Sequence, residues 1–345
     1  MIDLDVKLVI FLISLIIITA CTKGSSSSKP TKDIDVRVGF NGLVMEFLKN
    51  TPPLKIFEYD TFPVIIKVKN NGAYTIQKEE VALLSLGIEK DYTKALQLQE
   101  SGNVRKWRDL NNIASFNIEG KSNINVKGEE EVISYSLQAG NIDPQSEAHS
   151  STVNAVLCYP YKTELDTGVC IDPDISSIRP GKKVCKVQDL VFSNGQGAPV
   201  SITKIEVSML PSIDEQGQES KTIIPQFLLF IENKGQGTVI SKDKVKDFCT
   251  QSATLHKDLN IVNIKAELSG KQLDCRKSKK DAELKEIRIE DAFVKLKDKK
   301  ELTRCTLVEG LSATQDAYLS PLNIELTYGY TQSISANYFI QKTAR

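Results

Sequence analysis

Apolar and polar residues alternate along most of the chain after residue 35, in short runs separated by turn-forming residues. Val36-Arg37-Val38 and Ile324-Glu325-Leu326-Thr327-Tyr328 alternate strictly, and Val64 to Val68 is a nearly continuous β-branched run. A period of two over four to eight residues is typical of antiparallel sheets with one solvated face. The pattern predicts an all-β fold.

Helical periodicity is scarce. Three segments are candidates, Glu79–Leu86, Tyr92–Leu110 and Lys242–Thr250, and each is short or poorly patterned. We expect at most a few short helices.

Two landmarks recur in the same order, which indicates a duplication. The first landmark is an apolar strand that begins near a proline and ends on an Asn-x-Gly element, Asn70-Asn71-Gly72 in one half and Asn233-Lys234-Gly235 in the other. In each half β-branched residues follow this element. Later, VNAVLCYPYKT (153–163) matches LNIELTYGYTQ (322–332), which aligns Tyr159 and Tyr161 with Tyr328 and Tyr330. We expect the four tyrosines to be packed structural residues, with a ligand shelf as the less favoured alternative.

The segment DPDISSIRPGKK, residues 172–183, has the composition of a linker because it offers prolines, glycine and serines and little to bury. It divides the chain into a first domain, 34–171, and a second domain, 184–345. Each half is long enough for about seven short strands, as in a β-sandwich with inserted segments.

The Asn-x-Gly element after an apolar strand resembles the CARDB-like and related immunoglobulin-like modules of bacterial and archaeal surface proteins. The resemblance implies two tandem immunoglobulin-like β-sandwich domains that serve as extracytoplasmic interaction or spacing modules. It implies no catalytic residue.

Six cysteines follow Cys21, and an even number in an exported chain predicts disulfides. Cys158 and Cys170 flank YPYKTELDTGV, so a hairpin there would pair them. Cys275 and Cys305 would pair across the next hairpin of the second half. Cys185 and Cys249 are then left for each other.

The N-terminal residues predict an export signal. Leu8 to Ala20 is apolar except for Ser14 and Thr19, too short to span a membrane and suited to a signal peptide over residues 1–20. Ile18-Thr19-Ala20-Cys21 resembles the prokaryotic lipobox, which implies cleavage before Cys21 and lipid on its sulfur. Residues 21–33 would then be a lipid-anchored flexible tether. The alternatives are an uncleaved anchor or a plain signal with a coincidental cysteine, and each also exports the chain.

Charge and motifs limit the chemistry. The 44 basic and 44 acidic side chains balance, so we expect no nucleic-acid partner. His149 and His256 lie in no metal-ligand spacing, and we expect neither a metal nor a cofactor. A Cys249–His256 nucleophile pair is a weak catalytic candidate, and a disulfide at Cys249 is favoured over it. A calcium loop of Asp166, Asp172 and Asp174 is a weak metal candidate, and a solvated linker is favoured over it.

Binding residues are expected in residues 88–115, interpreted as an inserted segment on a rigid scaffold. Trp107 is the main candidate, with Tyr92, Arg105 and Arg108 nearby. A buried lid anchor is the alternative role for Trp107.

The sequence therefore predicts a non-catalytic lipoprotein, anchored outside the cytoplasm through lipid on Cys21, that binds or spaces an envelope protein or polymer. One alternative is the solute-binding lipoprotein of a transporter, which predicts many helices. The other is an exported hydrolase of envelope polymers.

Overall fold

The computed structural model describes residues 35–176, 183–213, 219–250, 256–276, 289 and 292–343. The predicted signal peptide, Cys21 and the tether lie outside the described residues. The alternating runs form strands, so the all-β prediction is confirmed. The first half supplies β1 (Leu43–Phe47), β2 (Lys55–Phe57), β3 (Thr61–Asn70), β4 (Ala82–Gly87), β5 (Thr93–Gln99), β6 (Arg105–Trp107), β7 (Leu110–Phe116), β8 (Glu130–Ala139) and β9 (Ala148–Ile171).

The second half adds further strands and a short helix. The strands are β10 (Leu190–Val191), β11 (Val200–Ile213), β12 (Glu219–Asn233), β13 (Thr238–Ile240), β14 (Ile261–Leu268), β15 (Lys271–Gln272), β16 (Phe293–Lys295), β17 (Lys300–Thr306), β18 (Leu311–Ser312) and β19 (Tyr318–Gln341). The helix α1 (Val245–Cys249) follows a 3-10 turn at Lys242–Lys244, and a second 3-10 turn spans His256–Asp258.

One of the three candidate helices is helical in the structure. Residues 242–249 form the 3-10 turn and α1, whereas Glu79–Leu86 contains β4 and Tyr92–Leu110 contains β5 and β6. Strand β4 is buried on both faces from Ala82 to Leu86. A strand buried on both faces reads as a continuous apolar run, which periodicity does not distinguish from a helix.

The strands form three sheets. The first half builds a small sheet in the order β1-β3-β8-β5, and the second half builds another in the order β10-β11-β12-β17. A large sheet runs β15-β14-β19-β9-β4-β7-β6 and so takes strands from both halves. Among the described strands, the β2–β19 pair is parallel and the other pairs are antiparallel.

Each small sheet packs on the part of the large sheet that its own half supplies. In the first half, Tyr135 of β8 donates its hydroxyl to the Leu84 carbonyl of β4 at 2.9 Å. A single hydrophobic core runs through both halves, from Phe62 and Leu137 to Phe227 and Leu326. The molecule is therefore a pair of β-sandwich lobes that share their large sheet.

Because the two halves share the large sheet, they are not the two separate tandem domains that the sequence predicted. The chain from Asp35 onward forms one compact unit, and β9 pairs with β19 along all 24 residues, from Ala148–Gln341 to Ile171–Tyr318. The composition of residues 172–183 predicted a linker, and the strands on either side of it, β9 and β10, do belong to different sheets. Composition did not reveal that the strand before it pairs with the last strand of the next lobe.

The disulfides are Cys158–Cys249, Cys170–Cys185 and Cys275–Cys305. The Cys275–Cys305 pairing is confirmed, and the other two predicted pairings are wrong. Cys158 and Cys170 lie on one uninterrupted strand, so the twelve residue steps from one to the other span about 40 Å. Cys158 instead pairs with Cys249 at the end of α1, and Cys170 closes across the predicted linker to Cys185.

The two recurring landmarks meet in space, once in each lobe. Tyr161 donates its hydroxyl to Asn70 Oδ1 at 3.1 Å, and Tyr330 donates to Asn233 Oδ1 at 3.2 Å. The same oxygens accept the N–H groups of Gly72 and Gly235, each at 3.1 Å. We call each of these arrangements an Asn–Tyr clasp. Their identical bonding supports the duplication inferred from the sequence.

Glycine is required in both clasps because the tyrosine hydroxyl approaches the turn closely. A Cβ at Gly72 would lie 1.9 Å from the Tyr161 hydroxyl, and one at Gly235 would lie 2.2 Å from the Tyr330 hydroxyl. No side chain fits in either space, so the Asn-x-Gly pattern is a packing requirement of the clasp.

The four tyrosines form one buried cluster, as the structural interpretation predicts. Neighbouring ring centroids lie 5.5 to 6.4 Å apart, and Pro160 opposes Gly329 at the centre of the β9–β19 pair. Burial raises the pKa of Tyr159, Tyr161 and Tyr328, and it raises the pKa of Tyr330 to about 12.

Replacing the clasp asparagine, as Asn70→Ala or Asn233→Ala, should lower the free energy of unfolding by about 2–3 kcal/mol, because buried donors lose their acceptor. Urea denaturation followed by circular dichroism measures this. Asn323→Ala removes an exposed asparagine and should cost less than about 1 kcal/mol. Equal losses at all three positions would contradict a special role for the clasp.

Alkaline pH should destabilise the protein through the tyrosine cluster. A group with a raised folded-state pKa stabilises fully below its unfolded pKa, near 10, and that stability is lost as the pH rises. For Tyr330 the loss should fall between pH 10 and about pH 12. Tyr330→Phe should therefore show a shallower fall in unfolding free energy above pH 10 than wild type, by up to about 1.4 kcal/mol per pH unit. The exposed Tyr59→Phe serves as control, and equal slopes for the two variants would contradict the assignment.

Candidate functional site on the outer face of the large sheet

Alternation along β9 and β19 gives the large sheet an inner and an outer face. Tyr159, Tyr161 and Leu165 of β9 point inward into the core, whereas Lys162 and Glu164 point outward. Outward residues of β9 oppose outward residues of β19, so polar side chains of the two strands share this face.

Helix α1 covers the middle of the outer face. A second, smaller hydrophobic cluster lies beneath it, formed by Leu83, Ile240 and Val245 with the Cys158–Cys249 disulfide. Lys242 at the start of the 3-10 turn forms an ion pair with Glu80 at 2.8 Å. The helix is thereby fixed to the sheet at both of its ends.

Beside α1 the outer face carries a charged groove, made by side chains of β9, β14 and β19 together with the N-terminal segment of the unit. Arg37 contacts Glu164 at 2.9 Å and Asp166 at 2.6 Å. Lys162 contacts Glu325 at 3.0 Å. Two adjoining clefts of about 370 and 310 Å³ lie over these residues and share Arg37 and Glu164. The charged groove comprises Arg37, Lys162, Glu164, Asp166, Lys265, Glu267, Asn323 and Glu325.

Hydrogen bonds keep the groove charged at neutral pH. The bond from Asn323 and the contact with Arg37 lower the pKa of Asp166. Burial alone would lower the pKa of Lys162, but its bonds to Glu325 and Glu164 raise the pKa instead. The groove thus offers fixed charges of both signs to a partner, and its Asp166 is a poorer proton acceptor than an ordinary aspartate.

A further buried contact joins the groove to α1. Glu80 accepts a hydrogen bond from the Tyr74 hydroxyl and from Lys242, and Lys162 lies 5.6 Å from the Tyr74 ring centroid. Burial alone would raise the pKa of Glu80, but the bonds from Lys242 and Tyr74 lower it. Burial and the same carboxylate raise the pKa of Tyr74.

The predicted binding residues do not gather at one site. Trp107 ends β6 at the edge of the large sheet, half-buried against the cluster under α1. Arg108 and Lys246 lie 5.4 and 5.5 Å from its ring centroid. Arg105 is exposed and donates to the carbonyls of Gly102 and Val104. Trp107 therefore helps to anchor α1, and the two cations lie over its ring.

Tyr92 lies elsewhere, just before β5 of the small sheet, and stacks on His149 with ring centroids 3.7 Å apart. His149 in turn contacts Glu89 at 3.1 Å, and this hydrogen bond lowers the pKa of Glu89. Residues 88–115 contain β5 and β6, which are edge strands of two sheets, and most of β7, which pairs with both β6 and β4 inside the large sheet. The interpretation of this segment as an inserted loop is therefore wrong.

The weak catalytic and metal candidates separate in the structure. Cys249 is bonded to Cys158 and cannot be a nucleophile. Asp172 and Asp174 bind Lys183, while Asp166 binds Arg37 and Asn323. Among the residues the structure describes, no group of three His, Cys, Asp or Glu side chains could hold a metal ion.

The sequence contains a signal for the charged groove. Residues 161–166 read YKTELD, a strict alternation of charged residues with buried ones. That alternation predicts one charged face on a strand, but the partners of this face come from β14, β19 and the segment at Arg37.

Comparison with known proteins assigns no family. No protein-family model and no curated protein matches the chain. Similarity to solved structures is weak, as three of the matching structures illustrate. A type I cohesin–dockerin complex from Clostridium thermocellum has a TM-score of 0.25 and 14% identity, over 35% of this chain and 84% of that chain. The partial N-terminal region of an enterococcal surface protein has a TM-score of 0.20 and 8% identity, over 85% of this chain and 84% of that chain.

The third structure is a DUF4466 family protein from Parabacteroides merdae, with a TM-score of 0.19 and 10% identity, over 83% of this chain and 99% of that chain. Similarity at this level supports no functional argument, so the function has to be inferred from the residues themselves.

Glu80→Gln should lower the unfolding free energy by about 1 kcal/mol at pH 7, because it removes a partly buried ion pair and weakens a charge-assisted hydrogen bond. The pKa of Glu80 is lowered in the fold, so its contribution is present above the unfolded value of about 4.3 and lost as the pH falls. The difference from wild type should therefore shrink as the pH falls below the unfolded value of about 4.3. Glu46→Gln, which removes the exposed pair with Lys67, serves as control and should change little. A Glu80→Gln difference that is independent of pH would contradict the ion-pair account.

Proposed function

We propose that this protein is a lipid-anchored, non-catalytic binding protein of the cell envelope, and that the outer face of its large sheet is the binding surface. The observation that carries the proposal is the position of that face. It lies on the two strands with the longest pairing in the molecule and displays polar side chains held in fixed positions. A surface ordered before contact loses little conformational entropy on binding.

The disulfides support a location outside the cytoplasm. Three cross-links are typical of proteins in oxidising compartments, because cytoplasmic thiols are kept reduced. Among the described residues, no helix has the length and apolar content needed to cross a bilayer. Anchoring through lipid on Cys21, within the lipobox-like Ile18–Cys21, is the part of the proposal that comes from the sequence.

Non-catalytic binding agrees with the chemistry of the outer face. Its charged side chains are held by ion pairs and hydrogen bonds, which favours fixed recognition over proton transfer. The solute-binding alternative predicts amphipathic helices around a cleft between lobes. The described residues contain one α-helix of five residues, and the lobes share a sheet.

Cys21→Ser should release the protein from the membrane fraction without unfolding it, because the lipid is the proposed anchor. Fractionation and mass spectrometry of the non-reduced protein measure release, lipid and disulfides together. Ser14→Ala within the apolar leader serves as control and should remain anchored. A Cys21→Ser protein that stays in the membrane fraction would contradict the anchor.

The released Cys21→Ser protein should also bind saturably to envelopes from its own cells. Binding that rises linearly with concentration would contradict the binding role, as would turnover of an envelope polymer by the purified protein.

A further inference from the structure

One part of the outer face differs in chemistry from the charged groove. It lies on the other side of α1, where residues 150–154 of β9 oppose residues 335–339 of β19. The inward residues of these segments, such as Val153, Ala155 and Tyr338, are buried in the core. The outward residues carry only hydroxyl and amide groups and are exposed or half-exposed. We call this surface the amide–hydroxyl ladder, and it comprises Ser150, Thr152, Asn154, Ser333, Ser335 and Asn337.

The side chains of the ladder itself carry no charge, and two charged residues border it: Glu89 accepts a hydrogen bond from the Thr152 backbone N–H at 3.3 Å, and the exposed Lys55 lies beside Phe339. Residues 150–156 read SSTVNAV and residues 333–341 read SISANYFIQ, without a single Asp, Glu, Lys or Arg. On the same two strands, the charged groove presents Lys162, Glu164 and Glu325. Both surfaces are solvent-facing parts of one sheet, so a general need for solubility does not explain the difference. A neutral surface offers no attraction to an anionic or cationic polymer.

Hydrogen bonds across the ladder orient its amides. Thr152 donates its hydroxyl to Asn337 Oδ1 at 2.9 Å, and Ser335 donates to Asn154 Oδ1 at 3.1 Å. Within the described residues, the Nδ2 groups of both asparagines have no protein acceptor, so each has two N–H donors for a ligand. Rows of outward groups repeat about 7 Å apart along each strand.

Exposed phenyl rings continue the ladder at one end. Phe339 follows Asn337 on the same face, opposite Ser150, and its side chain is 40% exposed. Phe57 on the neighbouring strand β2 is 48% exposed. It lies beside Gln341, the residue two positions after Phe339 on β19. From Ser333 to Phe339 the surface extends about 20 Å, so it suits an extended chain.

Flat rings beside a row of neutral donors and acceptors match one class of ligand. A sugar ring has an apolar C–H face that packs on aromatic rings, and it has hydroxyls that both donate and accept hydrogen bonds. We propose that the amide–hydroxyl ladder binds an extended neutral polysaccharide, with Phe339 and Phe57 packing on the sugar faces. This inference rests on the proposed function as an envelope binding protein and names its ligand class.

The test uses the purified full-length mature protein carrying Cys21→Ser. Binding is measured by affinity electrophoresis and calorimetry against cellulose oligomers, β-1,3-glucan, mannan and chitin oligomers, with polygalacturonate as the anionic comparison. We expect binding to at least one neutral glycan, and we expect it to be unchanged between low and 1 M salt because no ion pairs form.

The variants Asn154→Ala with Asn337→Ala, and separately Phe339→Ala, should weaken that binding at least tenfold. Asn194→Ala is the matched control, since it removes an exposed asparagine between β10 and β11 of the second half's small sheet, outside the proposed binding surface. It should bind like wild type. All of these residues are solvent-facing, and an unchanged melting temperature verifies that each variant is folded.

Three outcomes would overturn the inference: no binding to any neutral glycan of the panel, salt-sensitive binding to polygalacturonate alone, or a dimer that dissociates in the double variant. Saturable binding to whole envelopes separates this inference from the proposed function. If the double variant still binds envelopes as wild type does, the glycan inference fails and the binding role stands. If wild type itself fails to bind envelopes, the binding role fails.

Discussion

The antiparallel pairing of β9 with β19 is the interaction on which the rest of the structure depends. Twenty-four residue pairs join a strand of the first half to the last strand of the chain. Each strand also carries its own lobe's share of the large sheet, so neither sandwich is complete without this pair. The four-tyrosine cluster lies at its centre, where Pro160 opposes Gly329, and both clasps attach there.

This central position explains why the two lobes behave as one body. Contacts also cross between the lobes beyond the strand pair itself. Thr163 of β9 bonds to the Val200 carbonyl in the second lobe, and Gln332 of β19 bonds to the Leu43 carbonyl in the first. These contacts are related by the same duplication as the clasps. A duplicated sandwich whose long strands pair with each other therefore gains a shared core instead of a flexible joint.

The long pairing of β9 with β19 holds the side chains of the outer face in fixed positions, which suits a binding surface. The two strands have the same role in both lobes, yet their outward residues have diverged to a charged groove on one side of α1 and a neutral ladder on the other. Divergence is tolerated there because outward residues do not contribute to the core, whereas the inward tyrosines are constrained by their packing. The helix between the two surfaces is held by Cys158–Cys249 and by Lys242–Glu80, so the surfaces remain distinct.

The sequence by itself determined the strand-rich character, the duplication, the burial of the tyrosines and the Cys275–Cys305 bridge. The first three follow from local alternation and from repeated spacing along the chain, and the bridge joins two cysteines that are only 30 residues apart. Only the tertiary structure decided that β9 is one uninterrupted strand, that Cys158 reaches Cys249, and that residues 88–115 are strands of two sheets, β5 and β6 at their edges. Each of these depends on contacts between segments that are distant in the chain. The residue pattern of one segment does not predict which distant segment it contacts. The charged groove is the clearest case, because YKTELD predicts an outward charged row, but only the fold brings Arg37 and Glu325 to it.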